Sequence, residues 1–285
     1  MKVTQKATSV YAKALWVEEF DSLAEVLDYA MANTKPRSSN RDDGSFSLTS
    51  SLADAHTLGH KGYEEIRPDV ERMFTQMESQ LAERLECAFQ SRYDYQGVQV
   101  DVGRFLSGEP ECMIDFVPEP SARMGRVVRI LVNGVASASV DTDRIIKRGV
   151  AICALVDSVH KLGMGVEVYV ETPINDEGLN DRDGKVMTML TKLHDSQQML
   201  DINNLMFALC HPSMLRRIMF SVMERTACAY VKPLVGSGYG YPSALECTER
   251  VGADVTVEML QSGRQDYEHN PVDWVMSTLS GLGVV

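Results

Sequence analysis

Three groups of residues have types and spacings that could do chemistry. The first is His211, Arg216 and Arg217 in CHPSMLRRI. Pro212 suits the first position of a helix, where backbone N–H groups are free. Two guanidinium groups one turn on would complete an anion site. The plainer reading has His211 capping or packing, with the arginines paired to acids such as Glu224. The second group is His56 and His60 in HTLGH. Four apart on a helix, they share a face and could share a metal ion. The glutamate of H-E-x-x-H is missing and no third ligand stands nearby in the chain, which favours ordinary structural or surface histidines. The third group is Asp101, Arg104, Glu109, Glu111 and Asp115. Two carboxylates held in a cleft can serve as acid and base, whereas on a turn they are simply solvated. No serine sits in a G-x-S-x-G elbow. The glycines of GSGYG at 236–240 lack the Gly-Lys-Ser/Thr of a phosphate loop. With Tyr239 and Tyr241 they read as a flexible rim suited to contact.

The chain of 285 residues is 44% hydrophobic and 24% charged, as expected of a globular protein. Net charge is -12; residues 1–120 carry 12 Lys and Arg against 21 Asp and Glu, and the remainder 16 against 19. That field repels phosphates, so nucleic acid is not the expected partner. No apolar run approaches the roughly 20 residues that span a bilayer. The start, MKVTQKATSVYAKALWVEEF, has no continuous apolar segment after its lysines and does not read as a secretory signal. The six cysteines show no C-x-x-C pair. Cys153 and Cys210 fall inside apolar helical patterns, which suggests buried, reduced thiols in a cytoplasmic protein.

The elements that must position these residues centre on 126–172. There RVVRILVNGVAS, a helix through IIKRGVAICALVDSV, and GVEVYVET spell strand, helix and parallel strand. Gly149 inside the helix predicts a close helix–sheet approach. After the polar loop PINDEGLNDRDGK, VMTMLTKLH should return antiparallel. Helices from Asp201 and Pro212, a strand in ACAYVKPL, a strand in ADVTVEML and a helix from Pro271 complete the order. Upstream, the spacing predicts helices over 21–30, 50–62 and from Pro68, the last with a stripe of Val70, Met73, Met77, Leu81, Leu85 and Ala88 widened by Phe74 and Phe89. TKPRSSNRDDGS (34–45) reads as an exposed, cleavable loop. Val98, Val100 and Val102 alternate with polar residues, as in a half-buried strand. Pro118 and Pro120 mark a boundary, giving a mainly helical acidic region over 1–120 and an α/β domain over 121–285.

The order of elements in 126–285 resembles the first part of a von Willebrand factor A-like domain. Separately, VDVGRFLSGEPECMIDFV, SASVDTDRIIKRGVAICALVDSV and FALCHPSMLRRIMF with the later GYGYP resemble a family of uncharacterised tailed-phage proteins. The A-like resemblance implies a Mg²⁺ site, a D-x-S-x-S motif after the first strand, whose hard oxygen ligands suit that ion. In ILVNGVAS, Asn133 stands in place of the aspartate and Val135 in place of the first serine; only Ser137 matches. Ser137, Ser139, Asp141 and Asp143 offer oxygens in another arrangement, with Ser137 and Asp141 the candidate metal ligands, but such residues before a helix also serve as caps. The expectation is an α/β, von Willebrand factor A-like protein with a mostly parallel sheet flanked by helices. It lacks an intact metal motif and binds a host or phage protein in the cytoplasm. The rivals are a metal-dependent hydrolase of a phosphate ester, using 137–143 together with 211–217, and a virion or assembly component.

Overall fold

The computed structural model describes residues 1–6, 15–40, 44–85, 89–118, 125–175, 186–228, 235, 238–261 and 270–283. The predicted loop after Asn175, most of the predicted strand in 227–234, and Cys87 and Ala88 lie outside these residues. The central unit forms as read: β6 (Val127–Asn133), α5 (Thr142–Lys161) and β7 (Gly165–Asn175), with β6 and β7 parallel from Val127 opposite Gly165 to Asn133 opposite Glu171. The strand β8 (Val186–His194) returns antiparallel to β7, and β10 (Val255–Val257) lies parallel on the other side of β6.

The sheet does not begin at residue 121. β1 (Lys2–Lys6) and β2 (Leu15–Phe20) extend it, with β2 parallel to β8, so that the order is β1-β2-β8-β7-β6-β10. A short β9 (Tyr241–Pro242) pairs with the end of β7. The result is an α/β fold with a mixed, mostly parallel sheet. The N-terminal helices are part of its main layer: α1 (Leu23–Met31), α2 (Leu52–Lys61) and α3 (Arg67–Leu85) share one core with α5, α6 (Ile202–Cys210) and α7 (Phe220–Arg225). The predicted boundary at residue 120 therefore does not divide the core. Phe20, Leu27 and Met77 are buried in the same cluster as Ile130 and Val168. The opposite face carries a smaller cluster of Val17, Leu131, Leu190 and Cys247, covered in part by α8 (Thr248–Val251). A last helix, α9 (Pro271–Gly281), starts at the predicted proline and buries Val275, Met276 and Leu279.

Local rules account for the helix starts. Ser22 accepts from the Glu25 N–H and Ser51 from the Asp54 N–H, each satisfying one free donor of a first turn. Val70, Met73, Met77 and Leu81 form the buried stripe of α3. Phe89, which the spacing placed on that stripe, instead begins β3 (Phe89–Asp94).

β3, β5 (Met113–Pro118) and β4 (Gln99–Val100) make a second, antiparallel sheet in the order β3-β5-β4, unpaired with the main one among the described residues. The valine alternation at 98–102 reads differently here. Val98 and Val100 are exposed at β4, and Val102 opens a one-turn helix, α4 (Val102–Leu106), in which no residue is buried. Gly149 also serves another partner than predicted. A Cβ there would meet the Leu209 carbonyl oxygen at 2.4 Å and Cys210 Sγ at 2.6 Å, so the close approach is to α6, not to the sheet.

Candidate interaction surface and the carboxyl end of the sheet

In an open α/β sheet, ligands favour the crevice beyond the carboxyl ends of the strands where neighbours run off in opposite directions. Here that place is the end of β6, between β7 and β10. Asn133 is fully buried. Its amide donates to the Ser243 carbonyl at 2.9 Å, and its oxygen accepts the Val135 N–H at 3.1 Å. A carboxylate could not make the first of these bonds. Beside it, Arg148 reaches from α5 with 6% exposure and donates to the carbonyls of Asn133 (2.7 Å), Val257 (3.3 Å) and Glu258 (2.7 Å). A guanidinium thus already supplies positive charge to the ends of β6 and β10. The residues present do not fit the Mg²⁺ site that the A-like resemblance implies.

The predicted site residues spread over several places. Ser137 Oγ lies 3.1 Å from Ser139 Oγ. Ser137 also borders a cavity of about 200 Å³ with Arg216, Phe46, Tyr239 and Tyr241. Asp141 is exposed at the N-cap of α5, and its side chain makes no cap bond. Asp143 faces a different cleft, of about 530 Å³, between α3 and α5, with Asp69, Arg72 and Lys147. His211 is buried against Tyr63 and Phe207, and its Nδ1 contacts Ser213 Oγ at 2.7 Å and accepts the Ser213 N–H. Burial pushes its imidazole down to about 4. It is a neutral cap for the next helical segment.

Arg216 and Arg217 sit in a π-helical turn, Met214–Met219, with 3% and 0% exposure. Arg216 stacks on the Phe46 ring and donates to the Phe46 and Val140 carbonyls. Arg217 donates to Thr49 Oγ1 and the Ser39 and Thr49 carbonyls. Neither pairs with Glu224, the expected acid. Glu224 accepts instead from Asn33 Nδ2, the Arg37 and Ser39 N–H groups, Ser39 Oγ and Tyr239 Oη. These bonds hold 33–40 and 44–50 on the body, so the described part of the predicted loop is tied down. The segment's buried polar backbone requires such partners, and these arginines and this glutamate supply them.

The second arrangement is one that side-chain types alone did not reveal. Large apolar side chains stand in water along 93–106: Tyr95 is 66% exposed, Val98 80%, Val102 64%, Phe105 62% and Leu106 79%. Val102, Phe105 and Leu106 fall on one face of α4. None of residues 92–115 joins a described core cluster. The acids of this segment line that exposed surface, as the solvated-turn reading has them. Asp101 caps α4 through the Arg104 N–H and accepts from Tyr93 Oη; Arg104 pairs with Glu109 at 3.0 Å and covers the Tyr93 ring at 3.8 Å. The periodicity at 98–102 gave a signal, but alternation shows that one face is apolar, not what covers it.

A family model described as a domain of unknown function, DUF7192, matches residues 4–284. No curated protein and no solved structure matches the chain.

Proposed function

We propose, from the premise that the chain belongs to the DUF7192 family over residues 4–284, that it is a non-enzymatic protein-interaction module. The observation that carries this reading is the exposed apolar surface of 93–106 on a three-stranded sheet without a described core of its own. Small sheets need an apolar face covered to be stable, and contiguous exposed apolar surface marks contact sites. Arg92 and Arg104 are outnumbered there by Asp94, Asp101, Glu109, Glu111 and Asp115. The fitting partner is a polypeptide segment with apolar residues flanked by Lys or Arg. The tailed-phage resemblance includes residues 100–117, which overlap this surface, and so favours a host or phage protein as the partner. Mass spectrometry of purified particles separates a cytoplasmic role from a virion one.

The order β8-β7-β6-β10, with β8 antiparallel, supports the von Willebrand factor A-like reading of the scaffold. Arg148 supports a scaffold that works without the metal. The hydrolase reading needs Asp141 to meet His211 or Arg216 around one pocket, and Asp141 stands outside the lining of the cavities that His211 and Arg216 border. In a binding assay with the co-purified partner, Leu106→Asp and Phe105→Asp should each weaken binding at least tenfold without moving the melting temperature. Equal affinity in both variants would overturn the proposal.

A further inference from the structure

We infer that Asp28, His56 and His60 form a binding site for a divalent transition-metal ion of the Zn²⁺ class, clamping α1 to α2. His56 Nε2 lies 3.2 Å from Asp28 Oδ1, His60 Nε2 lies 3.3 Å from the same oxygen, and the two Nε2 atoms are 3.2 Å apart. Three donor atoms thus make a nearly equilateral triangle. Hydrogen bonds cannot satisfy all three of its edges. The carboxylate oxygen only accepts. If both Nε2 atoms carry a proton, the two N–H groups oppose each other; if one lacks it, its lone pair faces the carboxylate. A single cation at the centre resolves every edge.

The dimensions fit a tetrahedral ion. With Zn–N near 2.0–2.1 Å, the edge of a ligand tetrahedron is about 3.3–3.4 Å. Two imidazoles and one carboxylate also suit Zn²⁺ and its neighbours rather than Mg²⁺ or Ca²⁺, which take oxygen ligands. Three protein ligands leave a fourth position. Asp28 is mostly and His60 partly open to solvent, so that position is free to take water.

The fold builds the triangle from local features. His56 and His60 share one face of α2, four residues apart, with their rings 4.6 Å between centroids. Gly59, beside His60, admits α1: a Cβ there would lie 2.7 Å from Leu27 Cδ1, and Leu27 precedes Asp28. The third ligand comes from another helix, 28 residues before His56.

The test is isothermal titration of metal-stripped full-length protein with Zn²⁺ alone, repeated with Asp28→Asn, His56→Ala and His60→Ala. These side chains are partly exposed, and unchanged melting of the metal-free variants controls for folding. The expected result is one Zn²⁺ per chain, weakened at least tenfold in each variant, with Zn²⁺ raising the melting temperature of the parent only. Co²⁺ should give a tetrahedral visible spectrum without a thiolate charge-transfer band. No Zn²⁺ binding, binding that survives in the histidine variants, a thiolate band, or equal affinity for Mg²⁺ would overturn it.

Discussion

Arg148 and His211 are polar side chains committed to the core. Arg148 serves the carbonyls at the ends of two parallel strands. Replacing it by Met would strand those acceptors in a dry environment, and leaving a buried acceptor unsatisfied costs about 1–3 kcal/mol, offset in part by no longer burying the charge. Arg148→Met should therefore lose about 3 kcal/mol in urea unfolding, and a loss under 1 kcal/mol would contradict the role assigned. His211 yields a pH prediction. Its folded value of about 4 lies below the roughly 6.5 of an unfolded histidine. Between those values the unfolded chain binds a proton that the folded chain does not. The contribution is complete above about pH 6.5 and is lost as pH falls towards 4. The stability of the parent relative to His211→Gln should drop by about 2–3 kcal/mol between pH 7 and pH 4.5. A constant difference would contradict a buried neutral imidazole. At this scale the sequence was partly legible. His211 as a cap follows from its place before Pro212. The partners of Arg216 and Arg217 do not, because they lie about 170 residues away in the chain at Phe46 and Thr49.

Among elements, those whose character is local were readable: the β6–α5–β7 unit, the antiparallel return of β8 and the proline start of α9. Gly149 was correctly singled out as a close contact but assigned to the wrong neighbour, since a helix pattern shows which face is thin and not what approaches it. Alanine in a helix interior is favoured over glycine by about 1 kcal/mol, whereas overpacking costs about 1–3 kcal/mol. With the Leu209 carbonyl where the methyl would go, overpacking should win. Gly149→Ala should lower the melting temperature; a rise would mean that α5 and α6 separate freely. Asp28 escaped notice for a related reason. It belongs to another helix than the histidines, and no periodicity links α1 to α2.

For the whole molecule, the composition pointed to an acidic globular protein, the order of elements to α/β, and Pro118 with Pro120 suggested two domains. Pro118 ends β5, but the chain before it supplies β1, β2 and three helices of the main layer. Each large apolar side chain buried contributes about 1.5–3 kcal/mol. Phe20, Leu27, Val70, Met73 and Met77 share a cluster with the apolar side chains of 121–285, so removing 1–120 puts that face of the core in water. The fragment 121–285 should show no cooperative unfolding transition by circular dichroism; a sharp transition would restore the two-domain reading. The small sheet is the converse case, carrying apolar surface that the described core does not absorb.

That surface is the centre of the functional account, and site-specific photo-crosslinking probes it most directly. A benzophenone side chain at position 106, 79% exposed in the apolar patch, should capture a polypeptide partner in cells that express the protein, with metal chelator present throughout. The same group at position 199, 95% exposed on the main body, should not. Equal capture from both positions, or none from 106, would contradict the claim that 93–106 is a protein-binding surface.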